Sequence, residues 1–442
     1  MYQESETTNS QKRFTAQQYQ KNNEYDKAKL IYRELWDGKA ENYDKWLGWE
    51  YADTLKRLSK PDDAICTSKE VFHKYPDFKF NNNLLCWLLY EKYIKAITEE
   101  SALQQKRNML KVSEFIVGTV SQDGKKSAFE STVFKVVDVL KSQNNINHKE
   151  ILKWIDKLDY NLLSEDVFTL NLNDGRTKEG ASRKEEYFSI KTKALEAIED
   201  FEECLNWSNI AFETIPKFHY DNDIWIDVRR NYCIAMLSKD EKFNDAIQNL
   251  INLAERKKHW SIYSKIFDCY SGVNNIDAAL KFGAKALLSR DPMNMKVALL
   301  YNYALQLEKA SKANEAAMHF ALAAQIRRKF DWKINTDHSN KLLKYKINEK
   351  SQIDINDLTE LWIKFARFGE KLNKGKIINI LPHGNSGFIA GDDSNNYFFR
   401  KASFISGRNH MHTGMNVSFR GIKSFDPKKQ KEGNEAVEIV IE

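Results

Sequence analysis

Several familiar chemistries are missing from this chain. Its five cysteines, Cys66, Cys86, Cys204, Cys233 and Cys269, lie far apart with no C-x-x-C pair, so neither a disulfide framework nor a zinc ribbon is indicated; they read as reduced packing residues. Six prolines in 442 residues leave long helices uninterrupted. No apolar run approaches the ~20 residues that cross a bilayer, and the stretch Leu84–Tyr90 is far too short. The start, Met1-Tyr-Gln-Glu-Ser-Glu-Thr-Thr, has neither the basic residues nor the apolar core of a secretory signal, which places the protein in the cytoplasm as an expectation. Charge of one sign is also scarce: 68 basic residues against 62 acidic ones give +6, so a polyanion partner is implied only where the excess is concentrated.

Signals for catalysis and metal binding are equally thin. Gly118 to Lys126 has five residues between its glycines where a phosphate loop needs four, and Lys126 stands where Ser or Thr would hold magnesium. His383, His410 and His412 come without cysteines or ligand spacing, so no metal site is expected and contact with nucleic acid or solvent is. Acidic pairs such as Asp62-Asp63 and Glu202-Glu203 read as solvated charge on helices or joints. The expectation is a non-enzyme without a cofactor.

What is present is helical periodicity. From Phe14 to about Leu343 apolar residues recur at three- and four-residue spacing between short polar joints. In Tyr51-Ala-Asp-Thr-Leu-Lys-Arg-Leu-Ser-Lys-Pro-Asp-Asp-Ala64 two small residues flank a tight turn, and Pro76 ends the second helix. Comparable joints precede Ala28, Ala246, Ala279 and Ala316, the last three lying 33 and 37 residues apart. This pattern resembles the tetratricopeptide repeat, whose period is about 34 residues. The resemblance implies a solenoid of helix pairs with a concave surface for a protein partner. Trp46 and Trp49 are candidates to line such a groove, although packing between repeats is the commoner use of aromatics at helical spacing.

Between Asn83 and Tyr220 the pattern loosens. Capping boxes at Ser127-x-x-Glu130 and Ser182-x-x-Glu185 still mark helix starts, and the glycine-bearing stretch 171–182 reads as an exposed loop. The expected organisation is N-terminal repeats (1–110), an atypical helical middle region (111–220), C-terminal repeats (221–350), a linker helix (351–372) and a β domain (373–442).

Beyond Lys374 the periodicity changes to short alternating runs: Lys376–Ile380, Ser386–Ile389, Asn396–Arg400, Asn416–Arg420 and Ala436–Ile441. Lys374-Gly-Lys-Ile-Ile, Gly387-Phe-Ile, Tyr397-Phe-Phe-Arg, Gly414-Met-Asn-Val-Ser-Phe419 and Asn434-Glu-Ala-Val-Glu-Ile439 resemble, in order and spacing, the cold-shock domain. That family implies a five-stranded OB-type β-barrel, so the fold class is mainly α, an α-solenoid followed by a small barrel. It also implies single-stranded nucleic acid, RNA favoured, stacked on aromatics of the second and third strands.

Carried over, Phe388 and Phe398 are the stacking candidates, with Ile377, Ile389, Val417 and Phe419 as core. Several family aromatics are replaced: Asn379 stands for a tryptophan, Ser386 for an aromatic, and Arg400 and Lys401 for a histidine and an aromatic. Arg400, Lys401, Arg408 and His410, with Asn379, complete the expected nucleic-acid surface. The expectation is a non-catalytic adaptor, with a protein on the repeats and a weakly held single strand on the barrel. The alternative is a pure protein scaffold whose barrel no longer binds nucleic acid. The domain order also resembles proteins of bacterial conflict and defence systems.

Overall fold

The structure is a computed structural model and describes residues 2–37, 44–123, 127–143, 145–171, 175–348, 352–405, 410–426 and 431–442. The chain divides into two compact units, Met1–Arg230 and Asn231–Glu442.

The first unit holds α1 (Tyr2–Lys21), α2 (Tyr25–Asp37), α3 (Lys45–Arg57), α4 (Pro61–Lys74), α5 (Lys79–Tyr93), α6 (Glu99–Thr119), α7 (Ala128–Lys141), α8 (His148–Ile155), α9 (Arg183–Ala197) and α10 (Phe201–Thr214). Each packs on the next. Between α8 and α9, β1 (Thr169–Asn171) pairs antiparallel with β2 (Thr177–Glu179), so part of the stretch expected as a loop is a short ribbon. α11 (Asn222–Leu237) carries the chain across the boundary.

One joint recurs. Asn23, Ser59, Glu199, Asn274 and Ser311 all take left-handed backbone, with φ between 56 and 61°. The next residue's N–H then reaches back five positions, as from Lys60 to the Leu55 carbonyl at 3.0 Å and from Lys312 to that of Leu307 at 2.9 Å. This is the Schellman closure, which satisfies carbonyls a helix end would otherwise leave bare. Four residues after that donor comes a small side chain, Ala28, Ala64, Cys204, Ala279 or Ala316, each with no exposed surface. Only a small residue lets two helices cross so closely. The array is tetratricopeptide-like on this geometry.

Helix starts follow their caps. Ser127 and Ser182 accept from the N–H groups of Glu130 and Glu185 at 3.1 and 3.2 Å. The Glu185 carboxylate is engaged elsewhere, accepting from the His219 N–H and the Asn222 amide, both at 2.7 Å.

The second unit contains α12 (Glu241–Arg256), α13 (Trp260–Gly272), α14 (Ile276–Leu287), α15 (Val297–Lys309), α16 (Ala313–Lys329), α17 (Thr336–Lys344) and α18 (Ile355–Ala366). Gly283 is a packing requirement: a Cβ there would stand 2.5 Å from Tyr303 and 2.8 Å from Phe267. α18 turns back to lie against α14. Its anchor is Trp362, fully buried, whose Nε1–H donates to His319 Nε2 at 2.8 Å while His319 Nδ1 donates to the Glu315 carbonyl at 2.7 Å. Burial pushes the His319 imidazole down to about 4.

A five-stranded sheet follows: β3 (Asn373–Ile380), β4 (Ser386–Gly391), β5 (Asn396–Arg400), β6 (Asn416–Asp426) and β7 (Lys431–Ile441). The order is β3-β4-β5-β7-β6, with β6 pairing back to β3, so the sheet closes on itself. Alternate residues face inward. Ile377, Ile389, Phe399, Val417, Phe419, Ala436 and Ile439 form a fully buried core. Gly387 has no room for a Cβ, which would lie 2.2 Å from the Asn379 carbonyl oxygen.

Candidate nucleic-acid interface

The β4–β5 hairpin fixes the register of the expected stacking residues. At its turn the Asp393 carboxylate accepts from the Tyr397 hydroxyl at 2.6 Å and from the Asn395 N–H at 3.1 Å, bonds that hold its pKa below the ordinary carboxylate value. Gly391 N–H donates to the Asn395 carbonyl at 2.8 Å. Phe388 thereby falls directly opposite Phe398. The two half-exposed rings meet edge to face, centroids 5.8 Å apart and planes at 65°.

The row extends both ways. A bulge in β3 between Ile377 and Asn379 places exposed Asn379 opposite Phe388, with Ile378 also exposed, at 45%. On the other side Phe398 is paired with Glu435 of β7. Asn379, Phe388, Phe398 and Glu435 thus cross four strands in line. Arg400 lies next to it, its guanidinium 5.9 Å from the Phe398 centroid and its Nε 3.8 Å from Glu435. Lys401, half-exposed, opens the turn after β5, and its N–H donates to the Asn385 carbonyl at 2.8 Å. Chemically the row offers two ring faces and one flanking cation, Arg400, tempered by one carboxylate, with Lys401 following at the strand end.

The remaining expected residues fall elsewhere. Arg408 lies outside the described residues. His410 is exposed and lines a cavity of about 680 Å³ between the sheet and the helices of its own unit, with Glu255, Lys258, Lys285, Arg420 and Glu438 among the other walls. His383 sits beside Ser386, 3.3 Å from its hydroxyl, and His412 contacts the Thr413 carbonyl. Among the described residues no three His, Cys, Asp or Glu stand together as metal ligands.

The cavity walls and the residues beside them are heavily paired. Lys285 meets Glu438 at 2.8 Å and Glu370 at 3.8 Å, and Lys281 meets Glu370 at 2.7 Å. Arg420 reaches Glu255 and Glu438, each at 3.5 Å. Arg367 donates to the Ser418 hydroxyl at 3.0 Å, and Arg290 to the Ala402 carbonyl at 2.9 Å. Glu438 carries a left-handed φ of 52° at the point where the β6–β7 register shifts. A bulge there turns its carboxylate toward the helices. Among the described residues Lys258 has no ion-pair partner; burial pushes its ammonium pKa down, with Glu438 and Glu435 opposing and Arg420 and Arg400 adding to the fall.

In the first unit Trp46 and Trp49 pack with Phe78 and Phe80, ring centroids 4.8 to 6.0 Å apart. Phe80 remains 57% exposed. Sequence reasoning missed Glu435, because its place in the row depends on a parallel pairing of distant strands.

No protein-family model matches the chain, and no curated protein does. Among solved structures, the human IFIT1 dimer with m7Gppp-AAAA is 14% identical, the match covering 80% of this chain and 76% of that one at a TM-score of 0.36. YrrB, a TPR protein with an unusual peptide-binding site, is 13% identical, covering 55% and 97% at 0.31. A tetratricopeptide repeat protein from Parabacteroides merdae is 10% identical, covering 77% and 100% at 0.29. At such values no residue role carries over to this chain.

Proposed function

We propose that the chain is a non-catalytic adaptor whose helical repeats dock a protein partner and whose closed sheet, an OB-type barrel of the cold-shock kind, holds single-stranded nucleic acid, RNA favoured. The observation that carries the reading is the in-register pair Phe388 and Phe398, half-exposed, with Arg400 beside it. Two ring faces support stacking of one or two bases, each worth ~1 to 3 kcal/mol. Asn379 adds no third ring and Glu435 opposes phosphate, so binding is weak and indifferent to sequence. On the repeats, the exposed edge of the Trp46, Trp49, Phe78 and Phe80 cluster supports an apolar protein contact. The domain order resembles that of bacterial conflict proteins, which suggests a place in a nucleic-acid-targeting complex without assigning this subunit a task.

Fluorescence anisotropy of the full chain with labelled single-stranded RNA and DNA, at two salt concentrations, tests this. The expected result is salt-sensitive binding that a Phe388→Ala, Phe398→Ala double variant weakens about tenfold. Unaltered binding by that folded variant would refute it. The second reading, a protein scaffold, is favoured by one observation, the polar ends that Asn379 and Glu435 give the row; absence of oligonucleotide binding by the folded full chain would leave that reading standing.

A further inference from the structure

α16 ends in Arg327-Arg328-Lys329-Phe330-Asp331-Trp332-Lys333. Its stop repeats the closure of the helix joints: Asp331 takes a φ of 54°, and the Trp332 N–H donates to the Arg327 carbonyl at 2.8 Å. Arg327 Nη1 then donates to the Lys333 carbonyl at 2.9 Å, holding the turn. At the joints this closure leads into a helix with a buried small residue. Here it leads to two large rings left in the open, Phe330 44% and Trp332 42% exposed. They stack on each other, centroids 5.2 Å apart and planes at 28°.

A Schellman end commonly packs the residue after the left-handed position onto the last helical turn. Trp332 instead lies against Phe330, and both residues keep over two fifths of their surface exposed. Seven residues carry four cations and one carboxylate, an excess of three. The segment from Lys374 to Glu442 reaches the same excess with ten basic and seven acidic residues. Cations interleaved with exposed aromatics are the pattern that holds a single strand, rings against bases and cations against phosphates. An acidic peptide would use the charges and leave the rings without a purpose.

We propose that the turn after α16 is a second single-strand contact, in which Phe330 and Trp332 stack with bases while Arg328, Lys329 and Lys333 attract the backbone. This rests on the reading of the chain as a single-strand binder but uses residues remote in sequence from the β4–β5 row.

The test is anisotropy of the full chain with a labelled single-stranded oligonucleotide, comparing wild type, Phe330→Ala/Trp332→Ala, Lys329→Glu/Lys333→Glu and Phe388→Ala/Phe398→Ala, with circular-dichroism melts to show folding. Both turn variants are expected to bind about tenfold more weakly. The charge reversal should also flatten the salt slope by roughly 1.4, two phosphates at ~0.7 each. Wild-type affinity in both turn variants overturns the proposal, and a loss confined to the Phe388 and Phe398 variant leaves the sheet reading standing without it. Loss on removing the rings but not on reversing the lysines overturns the assignment of Lys329 and Lys333 to the backbone, because stacking alone then accounts for the contact. If the full chain binds no oligonucleotide, both readings fall together.

Discussion

The closed sheet treats charge in opposite ways in two of its regions. Toward the helices of its own unit, Lys281, Lys285, Arg420, Glu255, Glu370 and Glu438 form a chain of ion pairs, and the pairing members of that chain except Glu255 are less than a quarter exposed. On the β3–β5 row, Arg400 is 64% exposed with one loose contact to Glu435, and two rings stand half-open. The difference separates structural from functional charge. Groups that satisfy one another internally build a joint and have little to offer a ligand, whereas groups left half-solvated beside aromatic faces remain available to one.

This contrast can be broken from either side. The largest effect is expected on the joint side, from Trp362→Ala, which empties the anchor between α18 and the repeats. Denaturant unfolding of the full chain should show a loss of about 3 to 5 kcal/mol. Next comes acid. His319 has a folded pKa of about 4, below the ordinary value of 6.5, because burial disfavours its charged form. Its contribution, on the order of 3 kcal/mol, is therefore complete above pH 6.5 and is lost as pH falls toward 4. Melting temperatures between pH 7 and pH 4 should drop steeply, and a His319→Asn variant should lack that step.

How much of this contrast is readable in sequence depends on how local its causes are. The core alternation of Ile377, Ile389, Val417 and Phe419 was legible because it is written into consecutive residues of each strand. The joints before Ala64, Ala279 and Ala316 were legible through their alanines; the same closure at Glu199 was not, because Cys204 takes the small residue's place. The pair Phe388 and Phe398 follows from a hairpin of short loop. Glu435 enters the same row only through a parallel pairing with a strand 37 residues earlier, counted from Phe398, for which no local signal exists. Glu185 was expected to close a capping box, but tertiary contacts with His219 and Asn222 claimed its carboxylate. His410 belongs to a cavity that exists only once the sheet is seated.

Smaller effects sharpen the comparison. Lys285→Met leaves Glu438 to Arg420 alone and Glu370 to Lys281 alone, and should cost roughly 2 kcal/mol by denaturant unfolding without altering oligonucleotide affinity. Phe388→Ala with Phe398→Ala should do the reverse, weakening affinity about tenfold, ~1.4 kcal/mol, while thermal stability changes little. The smallest effects come from the loose pair of exposed Arg400 and largely covered Glu435. Arg400→Gln is expected to weaken binding and Glu435→Gln to strengthen it, each by only a few-fold, in anisotropy titrations at low salt.

The most direct measurement is photochemical crosslinking of the full chain to a single-stranded oligonucleotide carrying 5-iodouracil, with the modified peptides mapped by mass spectrometry. Crosslinks at Phe388 or Phe398, with none on Lys258 and Tyr263, which line the cavity between the sheet and the helices of its unit, are the expected result. Crosslinks confined to those cavity residues, or none at all from folded protein, would contradict the assignment of the open row to nucleic acid.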